Sequence, residues 1–166
     1  MYSIGNKVMY GASGVMTVID IRDESFGDSS RSYYVLRPTL ARTESFTFVP
    51  TDNERLVASM RYLLSGDEIG DLLKSAADIP AVDWIPENRA RQEFYKKITE
   101  SGDLRSMIAM IHRIKDCGRL REMEGKKNFL SDENAKAKAE RLIISEISVS
   151  LDIPEEEARQ LLLNAF

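Results

Sequence analysis

The fold is decided first by the stretch Val15-Met16-Thr17-Val18-Ile19-Asp20-Ile21, in which β-branched residues predominate. Shorter β-prone runs flank it, separated by turn residues at positions 11–14 and 26–30. These runs are Lys7–Tyr10, Tyr33–Leu36 and Ser45–Val49. Four or five short strands before residue 51 predict a small β-barrel, since closure removes the exposed edges that a flat sheet would leave.

Beyond residue 51 the sequence is typical of helices. Ser65 and Glu68 have the spacing of a capping box, and a helix follows them. The segment 78–83 breaks the helical pattern and is a candidate linker. Residues 84–166 predict four helices, including one from Pro86 to Glu100, one with Ser131 as N-cap, and a last one with Pro154 in its first turn. The predicted fold class is therefore α+β, with a barrel in residues 1–64, a helix and linker in 65–83, and an all-α helical bundle in 84–166.

The composition argues against several classes of function. The chain has 166 residues, and Cys117 and His112 are its only cysteine and histidine, so neither an internal disulfide nor a His/Cys zinc site can form. No run is long and apolar enough for a membrane span, and the N-terminus lacks the pattern of a signal peptide, which favours a cytoplasmic protein. No phosphate-binding or dinucleotide motif is present. Cys117 and His112 are five residues apart, so they do not share a helix face. We expect no enzyme activity, no metal, no cofactor and no small-molecule substrate.

The net charge of −4 conceals a pattern along the chain. Residues 1–84 and 128–166 each carry a net charge of −4, whereas residues 85–127 carry a net charge of +4. One interpretation of this basic block is a solvated helical surface with mixed charges. The other is a local surface that faces nucleic-acid phosphates.

Trp84 is the only tryptophan and stands at the start of the basic block. It could pack into a domain interface or the helical core, as lone tryptophans commonly do. Alternatively, it could be an exposed aromatic that stacks on bases or wedges between them, beside Arg89, Arg91, Lys96 and Lys97.

In the order of these features, the chain resembles the CarD family of bacterial transcription regulators (the CarD/CdnL type). The likeness covers nearly the whole chain and rests on several short motifs in order. Those of the first half are Ile4–Tyr10 with Ser13-Gly14-Val15, Ser32–Leu36, and Phe48-Val49-Pro50 followed by Met60-Arg61. Those of the second half are Trp84 with Arg89, Ser101–Leu104, Leu130-Ser131, and Ile144–Ile147.

The resemblance implies a Tudor-like, SH3-like barrel that binds the β subunit of RNA polymerase through an edge strand, either Tyr33–Leu36 or Ser45–Val49. The polymerase-binding candidates are Tyr34, Leu36, Phe46, Phe48 and Pro50.

The resemblance also implies that the helical domain contacts promoter DNA at the upstream edge of the transcription bubble, weakly and largely without regard to sequence, and stabilises the open complex. Trp84 matches the family's minor-groove wedge, and Arg89 and Arg91 match neighbouring phosphate contacts; Lys96 and Lys97 are further DNA-binding candidates.

The chain also departs from the family pattern. Phe48 stands where the family often has a basic residue, and the spacing between Trp84 and Arg89 is longer than usual. These departures leave a second hypothesis open: an adaptor that binds polymerase or another protein without contacting DNA.

Overall fold

Five antiparallel strands form one sheet in the order β4-β3-β2-β1-β5. The computed structural model describes residues 1–27, 29–41 and 44–166, and for Phe26 and Ser29 the backbone only. The predicted turn at 26–30 includes Asp28, which lies outside the described residues. The strands are β1 Lys7–Tyr10, β2 Val15–Phe26, β3 Ser29–Pro38, β4 Thr47–Pro50 and β5 Met60–Tyr62.

The sheet is open, and the pairings of the described residues do not include one between β4 and β5. The barrel closure that we predicted is therefore not observed. The central hairpin is long, with 12 residues in β2 and 10 in β3, whereas β4 has four residues and β5 has three. A bulge between Val18 and Asp20 bends β2 within this hairpin. The two short outer strands remain as edges.

Alternate residues of the strands supply the core of the sheet, as the two-residue period requires. Tyr34 and Leu36 of β3 point into this core, as does Val49 of β4, which pairs with Tyr34. The other buried members are Val8, Met16, Val18 and Met60. Met60 belongs to β5, a strand that sequence analysis placed in a helical region.

Six α-helices accompany the sheet, four of them between residues 88 and 164 as predicted. A short helix, α1, precedes β5. No helix in the described part of the chain combines the length and apolar composition of a bilayer span. The helices are α1 Glu54–Ala58, α2 Gly66–Ser75, α3 Asn88–Ser101, α4 Leu104–Met123, α5 Leu130–Leu151 and α6 Glu155–Asn164.

The chain divides into two compact units, Met1–Leu63 and Leu64–Phe166. The first contains the sheet and α1, and the second contains α2 to α6. The segment 65–83, which sequence analysis treated as a helix and linker, belongs to the second unit. Within that unit, the buried Glu146 of α5 accepts a hydrogen bond from the backbone N–H of Leu64 at 2.8 Å, which attaches the start of the unit to its longest helix.

The helix ends show where local sequence signals suffice. The capping box at Ser65 and Glu68 is present, with both reciprocal hydrogen bonds. The predicted N-cap at Ser131 is wrong, because α5 begins at Leu130 with Phe129 as its N-cap. Pro154 is the N-cap of α6 and does not lie within its first turn.

Ser65→Ala tests this capping box. The backbone N–H and hydroxyl of Ser65 lower the pKa of Glu68, so the variant should raise that pKa toward its ordinary value. A lowered pKa stabilises the folded state above the unfolded-state pKa, and this stabilisation is lost as the pH falls through the folded-state pKa. We expect Ser65→Ala to lower the free energy of unfolding by about 1 kcal/mol at neutral pH.

NMR pH titration of Glu68 and urea denaturation measure the two effects. Ser75→Ala is the matched control, since its hydroxyl donates to carbonyls at the other end of α2. The Ser65 backbone N–H, the larger cause of the lowered pKa, remains in the variant, so the pKa should rise only in part; an unchanged free energy of unfolding would contradict the cap.

Candidate nucleic-acid interface

Trp84 lies in the extended segment before α3 and is half-buried. Its ring stacks on that of Phe129, the N-cap residue of α5, with a centroid separation of 6.3 Å and an interplanar angle of 25°. Phe129 is itself exposed. The tryptophan is therefore neither fully enclosed in the helical core nor free to reorient. We call Trp84 and Phe129 the aromatic pair.

Arg91 supports the aromatic pair from the side. Its guanidinium carbon lies 4.4 Å from the Trp84 ring centroid and 4.9 Å from that of Phe129. With the two centroids only 6.3 Å apart, the three groups form a triangle, so the guanidinium does not lie between the rings. Cation–π attraction is stronger where the cation is desolvated, and Arg91 is only 1% exposed.

The Arg91 guanidinium is almost fully used by partners inside the protein. Its Nε donates to both carboxylate oxygens of Asp132, each at 3.1 Å. Nη1 donates to the carbonyl oxygens of Ile85 at 2.9 Å and Pro86 at 3.2 Å, and Nη2 donates to Asn88 Oδ1 at 3.0 Å. These bonds fix the backbone directly after Trp84.

The prediction that Arg91 is a phosphate-binding residue is therefore corrected. A guanidinium that is buried and paired with Asp132 is not presented to a phosphate. Sequence analysis did not detect this partner, because 41 residues separate the two positions and no local pattern connects them. Arg91 instead determines how Trp84 is held.

The other predicted cations lie on the surface of α3. Arg89, Lys96 and Lys97 are exposed, and Lys96 pairs with Glu100 at 3.7 Å. Glu87, the N-cap of α3, accepts hydrogen bonds from the backbone N–H groups of Ala90 and Arg89, which lower its pKa. A negative charge thus lies close to Trp84 as well.

Three basic residues that sequence analysis did not single out lie at the end of α4 and in the connection between α4 and α5. The Arg121 guanidinium carbon lies 3.9 Å from the Phe129 centroid, and its Nε donates to the carbonyl of Lys127 at 2.8 Å. Lys126 and Lys127 are exposed in this connection. Arg121, Lys126 and Lys127 belong to the basic block of the sequence, whereas the contacts of Phe129 with Trp84 and Arg121 had no local sequence signal.

The first unit separates the predicted polymerase-binding residues into two groups. Tyr34 and Leu36 are 5% and 0% exposed and belong to the core, so they cannot contact a partner through their side chains. Their strand, β3, is flanked by β2 and β4, so the alternative that it is the edge strand is also wrong. By contrast, Phe46 and Phe48 are 50% and 43% exposed.

The edge strand is β4, which contains Phe48 and the half-buried Pro50. The Phe48 ring meets the edge of Tyr33 at a centroid distance of 6.3 Å. The Arg22 guanidinium carbon lies 5.2 Å from the Phe48 centroid, while its Nε is 2.9 Å from Glu24. Phe48 is therefore an exposed ring in a defined orientation on the outer face of the sheet.

The backbone of β4 also has a free side. The Thr51 N–H donates to the Ser32 carbonyl at 2.9 Å, and hydrogen-bonded positions recur at every second residue of an antiparallel ladder. Val49 is thus the next such position, and the N–H and carbonyl of Phe48 point away from β3. Pro50 occupies the other outward position, where its missing N–H costs no bond within the sheet.

His112 and Cys117 both lie on α4, and among the described residues we recognise no catalytic arrangement that includes them. Burial is the main reason that the pKa of Cys117 is raised and that of His112 is lowered. A nucleophilic cysteine needs a lowered pKa, so the environment of Cys117 has the opposite effect.

Comparison with known proteins adds no assignment. No protein-family model matches the chain, and no curated protein matches it.

Arg91→Met tests the support of the aromatic pair. Removing one member of a buried ion pair leaves the other charge unpaired, so the free energy of unfolding should fall by about 3–5 kcal/mol. Arg119→Met is the matched control, because its pair with Asp116 is exposed and worth about 0–1 kcal/mol. Chemical denaturation followed by Trp84 fluorescence measures both. Equal small losses in the two variants would contradict the role assigned to Arg91.

Proposed function

We propose that this protein is a non-enzymatic transcription regulator that binds the RNA polymerase β subunit through its first unit and promoter DNA through its second. In this proposal it stabilises the open complex at the upstream edge of the bubble. The single observation that carries the DNA contact is the aromatic pair, a half-buried tryptophan held in a defined orientation by Phe129 and Arg91. The resemblance to the CarD family supplies the identity of the partners.

A rigid aromatic beside cations suits distorted DNA better than intact duplex. Aromatic side chains stack on unpaired bases or wedge between base steps, and neighbouring Lys and Arg residues contact phosphates. Exposed cations of this region include Arg89, Lys96, Lys97, Lys126 and Lys127, of which Lys96 pairs with Glu100 and Lys126 with Glu124. Because a wedge binds the opened state more tightly than the closed one, its binding shifts the equilibrium between them.

The first unit is proposed to be a Tudor-like module whose open edge receives a strand of the polymerase. Three features of β4 and the residue before it support this proposal: the position of β4 at an edge, the outward N–H and carbonyl of Phe48, and the exposed rings of Phe48 and of Phe46, which precedes the strand. Addition of a strand would give affinity through main-chain hydrogen bonds and specificity through these rings. The contact would be aromatic and main-chain in character, because Phe48 replaces a basic residue.

Attachment to RNA polymerase through the first unit would reconcile a DNA-binding role with a net charge of −4. A second contact made while the first is held becomes intramolecular, so a weak DNA contact suffices.

A protein-binding adaptor without a DNA contact is the second candidate. Two observations favour it: the burial of Arg91, which removes one expected phosphate contact, and the exposure of Leu120, Met123 and Leu130 close to Phe129 in the sequence. Exposed apolar side chains of this size are common at protein interfaces.

Trp84→Ala tests the DNA contact. The variant should shorten the lifetime of the open complex on a promoter while it still binds polymerase, because it removes the ring that stacks or wedges. Trp84→Phe is the matched control and should retain part of the effect. The lifetime is measured by promoter dissociation after a competitor is added. An unchanged lifetime in Trp84→Ala would favour the adaptor.

Phe48→Ala tests the polymerase contact. It removes the exposed ring of the edge strand and should reduce capture of the polymerase β subunit about tenfold, the equivalent of 1.4 kcal/mol. Ile21→Ala is the control, since Ile21 is similarly exposed but lies on the internal strand β2. Equal capture by both variants would place the contact on another face.

A further inference from the structure

A groove of about 330 Å³ lies between α3 and α5. The residues that carry its chemistry are Gln92 and Lys96 from α3, and Ser131, Asn134 and Lys138 from α5. Gln92 and Thr99, both in its lining, are seven residues apart on α3, so the groove extends for roughly 10 Å at a rise of about 1.5 Å per residue.

The charged side chains that line the groove are all positive. Lys96 and Lys138 are its two charged residues, and no carboxylate lines it. Lys138 is half-buried and has no ion pair among the residues that the structure describes. Lys96 has an exposed partner, Glu100, at 3.7 Å, and such solvent-exposed pairs are weak. In a protein with a net charge of −4, this concentration of cations is a local feature.

The remaining polar groups can donate hydrogen bonds. Gln92 Nε2 uses one N–H on Asp132 at 2.8 Å, and an amide NH₂ has a second. Asn134 is exposed and offers a further amide. Cations combined with neutral donors, without a carboxylate, are what a phosphate diester requires. A second cavity, beside His112, differs in this respect, because Asp116 lines it.

Hydrogen bonds connect residues that line the groove to the residues that hold the aromatic pair. Gln92 donates to Asp132, the partner of Arg91. At the same end, Ser131 Oγ donates to Asn88 Oδ1 at 3.2 Å, and Asn88 also accepts from Arg91. The cluster that holds Trp84 is thus hydrogen-bonded to two residues that line the groove.

We propose that this groove binds backbone phosphates of the nucleic-acid strand whose bases meet the aromatic pair, with Lys138 and Lys96 as the contacting cations. The proposal rests on the proposed function and extends it, because it assigns a phosphate contact to Lys138 of α5, a residue outside the basic block of the sequence.

Fluorescence anisotropy of a labelled, forked promoter oligonucleotide, titrated with the full chain at several salt concentrations, tests the groove. Each lost phosphate contact reduces the slope of log K against log salt by about 0.7–0.9. Lys138→Gln should show this reduction, and Lys138→Arg should restore the slope. Lys136→Gln is the matched control, because Lys136 lies on the same helix, pairs with Glu133 at 2.7 Å and is not in the lining.

The outcomes separate the two proposals. If Lys138→Gln keeps the slope of Lys136→Gln while Trp84→Ala weakens binding, the groove assignment is wrong and the aromatic contact stands. If Lys138→Gln reduces the slope while Trp84→Ala has no effect, the groove stands and the aromatic contact is wrong. No binding by the wild-type chain, whether alone or with RNA polymerase present, overturns both. If inorganic phosphate displaces the oligonucleotide more strongly than chloride does at equal ionic strength, and Lys138→Gln abolishes this difference, the groove binds small anions. That result would overturn the proposal that the groove binds the phosphates of a nucleic-acid strand.

Discussion

The buried pair between Arg91 and Asp132 is the interaction on which the second unit's candidate site depends. It joins α3 to α5, fixes the carbonyls of Ile85 and Pro86, and places a guanidinium against both rings of the aromatic pair. A buried ion pair contributes little net stability compared with an apolar core, but it can specify a single arrangement. Here we infer that the arrangement it specifies is the orientation of Trp84.

This constraint changes how the basic block is interpreted. One of its arginines, Arg91, is buried inside the second unit, and Arg121 packs on Phe129, whereas most of its other basic side chains are exposed. Lys138, which lies outside the block, lines a groove, and two other lining residues, Gln92 and Ser131, hydrogen-bond to the same cluster. A contact built this way is weak by itself, so it suits a protein that is already attached to a larger assembly.

Local signals predicted much of the fold, and long-range pairings limited the rest. The β-branched run at 15–21, the capping box at Ser65 and the four helices after residue 84 all follow from short patterns. The strand β5 has only three residues and depends on pairing with β1, so its own composition does not identify it. The same limit affects the site, because Asp132 and Phe129, the partners of Arg91 and Trp84, are more than 40 positions later in the sequence, at the start of α5. The exposure of Phe48, in contrast to the burial of Leu36, depends on which strand becomes the edge.

The central claim is that Trp84 meets promoter DNA while the first unit is attached to polymerase. The most direct test replaces Trp84 by a photoreactive aromatic amino acid in the full chain, assembles it with polymerase on a promoter, and maps the crosslinks. The account predicts crosslinks to DNA bases at the upstream edge of the bubble. Crosslinks confined to polymerase subunits, with none to DNA, would contradict it.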